Sequence, residues 1–66
     1  MELCFRVPDQ EGTQGVLLRN FLRRCAVSSD LSRRVKFQGG GFFADGRPVL
    51  ANQRVFPGQV VRFALP

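Results

Sequence analysis

The sequence contains no histidine, tryptophan or tyrosine, and it has only two cysteines and five acidic residues. Histidine is the commonest general base of enzymes and a frequent zinc ligand, so its absence removes much of the usual catalytic and metal chemistry. The two cysteines, Cys4 and Cys25, are too far apart for the paired spacing of a zinc site. The acids are spread along the chain without an evident carboxylate pair. We therefore predict that these residues bind no metal or cofactor and catalyse no reaction.

Long hydrophobic runs are also missing. No apolar stretch approaches the roughly 18 residues needed to span a bilayer, and the first residues carry Glu2, Asp9 and Glu11 instead of the apolar core of a signal peptide. These absences predict a cytoplasmic protein without a membrane partner.

Because both cysteines have apolar neighbours, we interpret them as reduced core thiols, with a disulfide between them as the alternative.

Positive charge is what the chain has in excess, with a formal net charge of +5. Six of its ten basic residues fall between positions 19 and 36, where Asp30 is the only acid. They are Arg19, Arg23, Arg24, Arg33, Arg34 and Lys36. Lysine and arginine that neutralise phosphates release condensed counterions, so this pattern is typical of a nucleic-acid contact. The alternative is an ordinary solvated basic face.

The length of 66 residues predicts a single domain, 1–66, with one thin core. A chain of this size buries only about 60% of the surface that its unfolded form exposes, so we expect a partner to bind on the outside.

The hydrophobic pattern of the first half predicts a strand at 3–7, a polar loop and two helices. Leu17, Leu18, Phe21, Leu22 and Cys25 share one helical face over 16–25. A second helix over about 29–37 is expected to begin at Ser28 as its N-cap and to end at the glycines 39–41.

The second half predicts short strands. Asp45-Gly46 is a type I′ hairpin signal between strands at 42–44 and 47–50, and Pro48 places the second of these at an edge. Pro57-Gly58 predicts a further turn before a strand at 60–65. The order of elements indicates an α+β fold. We assign most of the seven phenylalanines to the core, and one of Phe42 and Phe43, which must face opposite sides of a strand, to the surface.

The run from Ser28 to Val49 resembles the helix-to-hairpin core of the S4-like RNA-binding domain, in particular the copy at the N-terminus of RluA-type pseudouridine synthases. Leu18 and Phe21-Leu22 are similar to the first helix of that family, and Val55-Phe56-Pro57-Gly58 is similar to its V-x-P-G turn. The resemblance covers about residues 16–65. Departures occur at Ser29, where many relatives have arginine, at Asp45, where asparagine is common, and at Gln59, where aspartate is common.

The resemblance implies two short helices packed on a small, mainly antiparallel sheet of three to five strands, with the helices forming a basic RNA-binding surface. Together with the charge pattern, it predicts RNA-binding residues Arg19, Arg23, Arg24, Ser28, Arg33, Arg34 and Lys36, and structural turns at Gly39, Gly40, Gly46 and Gly58.

The function implied is a module that positions structured RNA for an attached pseudouridine synthase domain. Ribosomal RNA is the first expectation and transfer RNA the alternative. The Arg-Leu-Asp signature of that catalytic domain does not occur in this sequence.

Two other hypotheses stay open. One is a free-standing RNA- or ribosome-associated module, which Met1 and Pro66 as chain ends permit. The other is a ubiquitin-like or sulfur-carrier protein, although such carriers end in Gly-Gly and this sequence ends Phe-Ala-Leu-Pro.

Overall fold

Two helices and six short strands form the fold of residues 1–65, which the computed structural model describes. The strands are β1 (Glu2–Arg6), β2 (Val16–Leu17), β3 (Phe42–Ala44), β4 (Arg47–Val49), β5 (Arg54–Val55) and β6 (Val60–Ala64), and the helices are α1 (Leu18–Arg24) and α2 (Ser29–Gln38). A single 3₁₀ turn at Asp9–Glu11 interrupts the polar loop after β1. The predicted α+β class, with two helices and a small, mainly antiparallel sheet, is confirmed.

The main sheet has four strands in the order β1-β6-β3-β4, and every neighbouring pair is antiparallel. Side chains alternate along β6, so that Val61 and Phe63 are buried while Val60 and Arg62 are exposed. The Phe63 ring lies edge-on to Phe42, with ring centroids 5.2 Å apart. This alternation gives the sheet one apolar face against which the rest of the chain packs.

The β3–β4 hairpin turns at Asp45-Gly46, as predicted. Asp45 has φ 50° and Gly46 has φ 82°, the positive values that a type I′ turn requires at both central positions. The Asp45 carboxylate accepts a hydrogen bond from the Val60 backbone N–H at 3.0 Å, which ties the turn to β6. Pro48 lies in β4 at the edge of the sheet, where its missing N–H costs no ladder bond.

A second sheet of two strands was not expected from the sequence. Val16 pairs with Val55, and both side chains are buried. The pairing keeps the chain extended through Leu17, so the prediction that the first helix begins at position 16 is wrong and α1 begins at Leu18. Gly15 is required beside this pair, because a Cβ there would lie 2.3 Å from the Val55 carbonyl oxygen and the backbone has φ +69°.

The core receives side chains from both helices, both sheets and two connecting segments. Its buried members are Val7, Val16, Leu18, Phe21, Leu22, Val27, Val35, Phe42, Ala44, Val55, Val61 and Phe63. The first strand ends at Arg6 and not at Val7, because the Val7 N–H donates to the carbonyl oxygen of Gln59 and its own carbonyl accepts from Gly58, in the turn that precedes β6. Half-buried Leu3 and Phe5 pack against the edge of the core.

Cys4 was assigned to the core but lies at the surface, and two of the seven phenylalanines, Phe37 and Phe56, also lie outside the core. Cys4 alternates with Leu3 and Phe5 along β1 and is exposed on the outer face, whereas Cys25 is half-buried, and both thiols are free. Phe37 is exposed because it follows the buried Val35 by two positions, about half a helical turn. Phe56 is exposed in the turn after β5. Of the adjacent pair, Phe42 is buried and Phe43 half-buried, so neither is an exposed ring as expected for one of them.

Candidate nucleic-acid interface

Helix α2 displays three of the predicted RNA-binding residues. The Ser28 hydroxyl accepts a hydrogen bond from the Leu31 N–H at 3.1 Å, which confirms Ser28 as the N-cap. Val35 is buried and Leu31 half-buried, so they fix one side of the helix against the core. Arg33, Arg34 and Lys36 are exposed.

The glycines after α2 let the helix end close against the sheet. A Cβ at Gly39 would lie 2.6 Å from the Ala64 carbonyl oxygen, so this position requires close approach to β6. Gly40 and Gly41 have φ +85° and +90° and turn the chain into β3. The predicted helix stop is confirmed, and it holds the basic end of α2 at a fixed place on the sheet.

Helix α1 carries the other basic residues. Leu18, Phe21 and Leu22 are buried, which leaves Arg19 and Arg23 exposed. These two arginines are four residues apart and therefore adjacent on the surface of the helix.

Arg24 differs from its neighbour Arg23 in having an acidic partner. Its guanidinium forms an ion pair with the Glu11 carboxylate, whose side chain is only 13% exposed. The predicted RNA-binding residue Arg24 is thus placed in a contact within the protein, where it neutralises a largely buried acid.

The loop at 50–53 lies beside both the start of α1 and the end of α2. The Arg19 N–H donates to the Ala51 carbonyl oxygen at 3.1 Å, and the Leu18 N–H donates to Gln53 at 2.9 Å. Lys36 lines a concavity of about 280 Å³ together with Leu50 and Ala51. The loop at 50–53 therefore contacts the backbone of Arg19 and lines the same concavity as Lys36.

Seven of the ten basic residues form no salt bridge in the described part of the chain, and five of these lie on the helices; the other two are Arg47 and Arg54. Within residues 1–65 the salt bridges are Arg6–Asp9, Arg24–Glu11 and Arg62–Glu2. Arg6 and Arg62 belong to strands β1 and β6. The five other basic residues of α1 and α2 have no acidic partner in this part of the chain: Arg19, Arg23, Arg33, Arg34 and Lys36.

A second pair of cations was missed by the sequence analysis. Arg47 of β4 and Arg54 of β5 line one concavity of about 360 Å³ with Gln53 and Gln59 between the two strands. The Arg54 guanidinium also donates to the Gln14 carbonyl oxygen at 3.4 Å. No spacing in the sequence signals this juxtaposition, which brings together residues from two different sheets.

The remaining predicted positions serve the fold. Gly46 and Gly58 have φ +82° and +86° and complete the two predicted turns.

Burial raises the pKa of the Cys25 thiol above its ordinary value. Among residues 1–65 no cluster of three or more potential ligands could hold a metal ion, and no helix there is long and apolar enough to cross a membrane.

Comparison with known proteins found no matching family model, no matching curated protein and no matching solved structure. The geometry of the exposed cations is therefore the main basis for a functional hypothesis.

Proposed function

We propose that this chain is an RNA-binding module in which α1 and α2 present unpaired cations to the phosphates of a structured RNA. The observation that carries the proposal is the distribution of ion pairs. The salt bridges engage Arg6, Arg24 and Arg62, and five of the seven remaining cations lie on the helices, where they are left to bind an anionic partner. A polyanion supplies negative charge to these five cations, which form no salt bridge within residues 1–65.

Recognition on this surface is electrostatic and depends on shape. The contacts available are guanidinium and ammonium groups, which bind phosphates without reading base sequence. Both helices are anchored to the core through buried apolar residues, so the backbone positions that carry the cations are set before binding. An A-form RNA helix, whose major groove is too narrow for side chains to read, is bound mostly through such backbone contacts.

The resemblance to the S4-like domain of RluA-type pseudouridine synthases extends the proposal to a biological role. On that basis the module positions ribosomal RNA for a separate catalytic domain of the same protein. The two helices beside a small antiparallel sheet are consistent with this role. Crosslinking to cellular RNA followed by sequencing tests it, with ribosomal RNA as the expected product; recovery of transfer RNA alone would replace ribosomal RNA as the partner.

The salt dependence of binding tests the proposed surface. A synthetic RNA hairpin is titrated with the wild-type chain at several salt concentrations, and again with the double variant Arg33→Ala/Lys36→Ala. The logarithm of the binding constant falls as the logarithm of the salt concentration rises. Each phosphate-binding side chain that is removed should lower the magnitude of this negative slope by about 0.7 to 0.9. We expect a similar decrease in affinity for hairpins of different sequence.

The matched control is Arg6→Ala/Arg62→Ala, which also removes two positive charges but takes them from residues paired with Asp9 and Glu2. This control should leave the slope unchanged. Equal effects of the two double variants would show that only net charge matters, and an unchanged slope for Arg33→Ala/Lys36→Ala would reject α2 as the binding surface.

A further inference from the structure

Phe37 is an aromatic side chain that the core does not use. It lies in the last turn of α2 and is 74% exposed, whereas Phe21, Phe42 and Phe63 are at most 4% exposed. A single exposed hydrophobic residue is common on protein surfaces and carries no functional meaning by itself. The surroundings of this ring are therefore what distinguishes it.

One cation lies at the Phe37 ring, and two others occupy neighbouring positions of the same helix. The Lys36 ammonium lies 5.6 Å from the ring centroid, a cation–π distance. Arg33 and Arg34 precede Phe37 by four and three residues, the spacings at which side chains on a helix are neighbours. The aromatic face thus stands within the set of unpaired charges that the proposed function assigns to phosphates.

This combination matches the two halves of a nucleotide. The phosphate is anionic and the base is planar and aromatic, so arginine or lysine can bind one half while Phe37 stacks on the other. An apolar protein segment on the same patch would bury cations without supplying negative charge. Charge complementarity therefore favours a nucleic acid over an apolar protein segment at this position.

We infer that Phe37 is a stacking platform for one unpaired base of the bound RNA. The inference rests on the proposed function and names its substrate class, an RNA helix with a bulged or terminal unpaired nucleotide. The base must be unpaired because bases inside a duplex already stack on each other and expose no face to a side chain. Arg33 and Arg34 then contact phosphates beside the nucleotide that Phe37 holds.

The test uses two synthetic RNA hairpins with the same tetraloop and equal stem length, one with a fully paired stem and one with a single bulged 2-aminopurine in the stem. Wild type should bind the bulged hairpin more tightly and quench its fluorescence. Phe37→Ala should weaken binding to the bulged hairpin roughly 5- to 150-fold, the range expected when one stacked base loses its aromatic partner, and leave the paired hairpin within about twofold. Phe37→Leu should resemble Phe37→Ala, and Phe37→Trp should restore both affinity and quenching.

The salt slope separates this inference from the proposed function. Phe37→Ala removes no charge, so its salt slope should equal that of wild type. Arg33→Ala/Lys36→Ala should lower the magnitude of the salt slope for both hairpins. If wild type binds both hairpins equally and Phe37→Ala changes neither affinity, the stacking inference is overturned while RNA binding stands. If wild type binds neither hairpin, the proposed function itself is overturned. If Phe37→Ala abolishes self-association but changes no RNA affinity, the ring is a protein contact and the inference is again wrong.

Discussion

At the scale of single residues, Arg23 and Arg24 show how adjacent positions of one type take different roles. Arg23 is exposed without an acidic partner among residues 1–65, while Arg24 pairs with the largely buried Glu11 carboxylate. The sequence assigns both to RNA, since a run of basic residues does not reveal which one an acid elsewhere in the chain will engage. The structure therefore divides the predicted site into cations without an acidic partner, which we propose bind RNA, and one cation that pairs with an acid of the protein.

This division predicts that two matched variants affect different properties, stability for one and RNA binding for the other. Arg24→Ala should lower the free energy of unfolding by about 1 kcal/mol, because it leaves the Glu11 carboxylate without its partner. Arg23→Ala should leave stability unchanged and weaken RNA binding. Urea denaturation and RNA titration of both variants measure the two effects, and a decrease in stability as large for Arg23→Ala would contradict the assignment.

The two cysteines are predicted to differ in reactivity. Cys4 is exposed on β1, whereas Cys25 is half-buried and burial raises its pKa. The thiolate is the nucleophile, so a raised pKa lowers its fraction at every pH below that value. Iodoacetamide at pH 7 should modify Cys4 before Cys25, and the rate at Cys25 should rise with pH. Peptide mass spectrometry follows both, and faster labelling of Cys25 at pH 7 would show that its burial is wrong.

At the scale of elements, the end of α1 is held by an unusual residue. Ala26 has φ 65°, while its N–H donates to Arg23 and the Val27 N–H donates to Leu22, a Schellman arrangement in which glycine is the usual residue. The positive φ costs alanine free energy that it does not cost glycine. Because Ala26 is exposed, replacing it removes no core contact.

Ala26→Gly should therefore stabilise the protein, by about 0.5 to 1 kcal/mol. The control is Ala51→Gly, at a position with ordinary negative φ, where the greater freedom of glycine in the unfolded chain should lower stability by a similar amount. Thermal and urea unfolding of both variants provide the measurement. A destabilising effect of Ala26→Gly would mean that α1 does not end in this way.

The elements differ in how far the sequence could predict them. The hairpin at Asp45-Gly46, the edge position of Pro48 and the cap at Ser28 were predictable, because each depends on the local chemistry of one or two residues. The β2–β5 pair was not, since two-residue strands have no periodicity and their pairing depends on distant segments. The sequence analysis assigned most phenylalanines to the core without saying which were exposed, although the spacing of Phe37 from the buried Val35 indicated the outer face.

At the scale of the whole molecule, the proposed RNA binding depends on where the chain places its charge. Acids on β1 and in the first loop engage Arg6, Arg24 and Arg62, and Asp45 is occupied by the Val60 N–H. Only Asp30 lies among the cations of the helices. The sequence predicts the excess of charge and its concentration in 19–36, but the partners of individual arginines follow from the folded arrangement of loop, helix and sheet.

The location of the bound RNA tests the proposed helical surface most directly. An RNA hairpin is titrated into the isotopically labelled chain, and changes in the NMR signals of backbone amides and arginine side chains are mapped onto the structure. We expect the largest changes within Leu18–Arg24 and Ser29–Gln38, at Arg19, Arg23, Arg33, Arg34 and Lys36. Strands β1 and β6 should change little. Changes centred on the outer face of β1 and β6, around Cys4 and Arg62, or no changes at all, would contradict RNA binding by the helices.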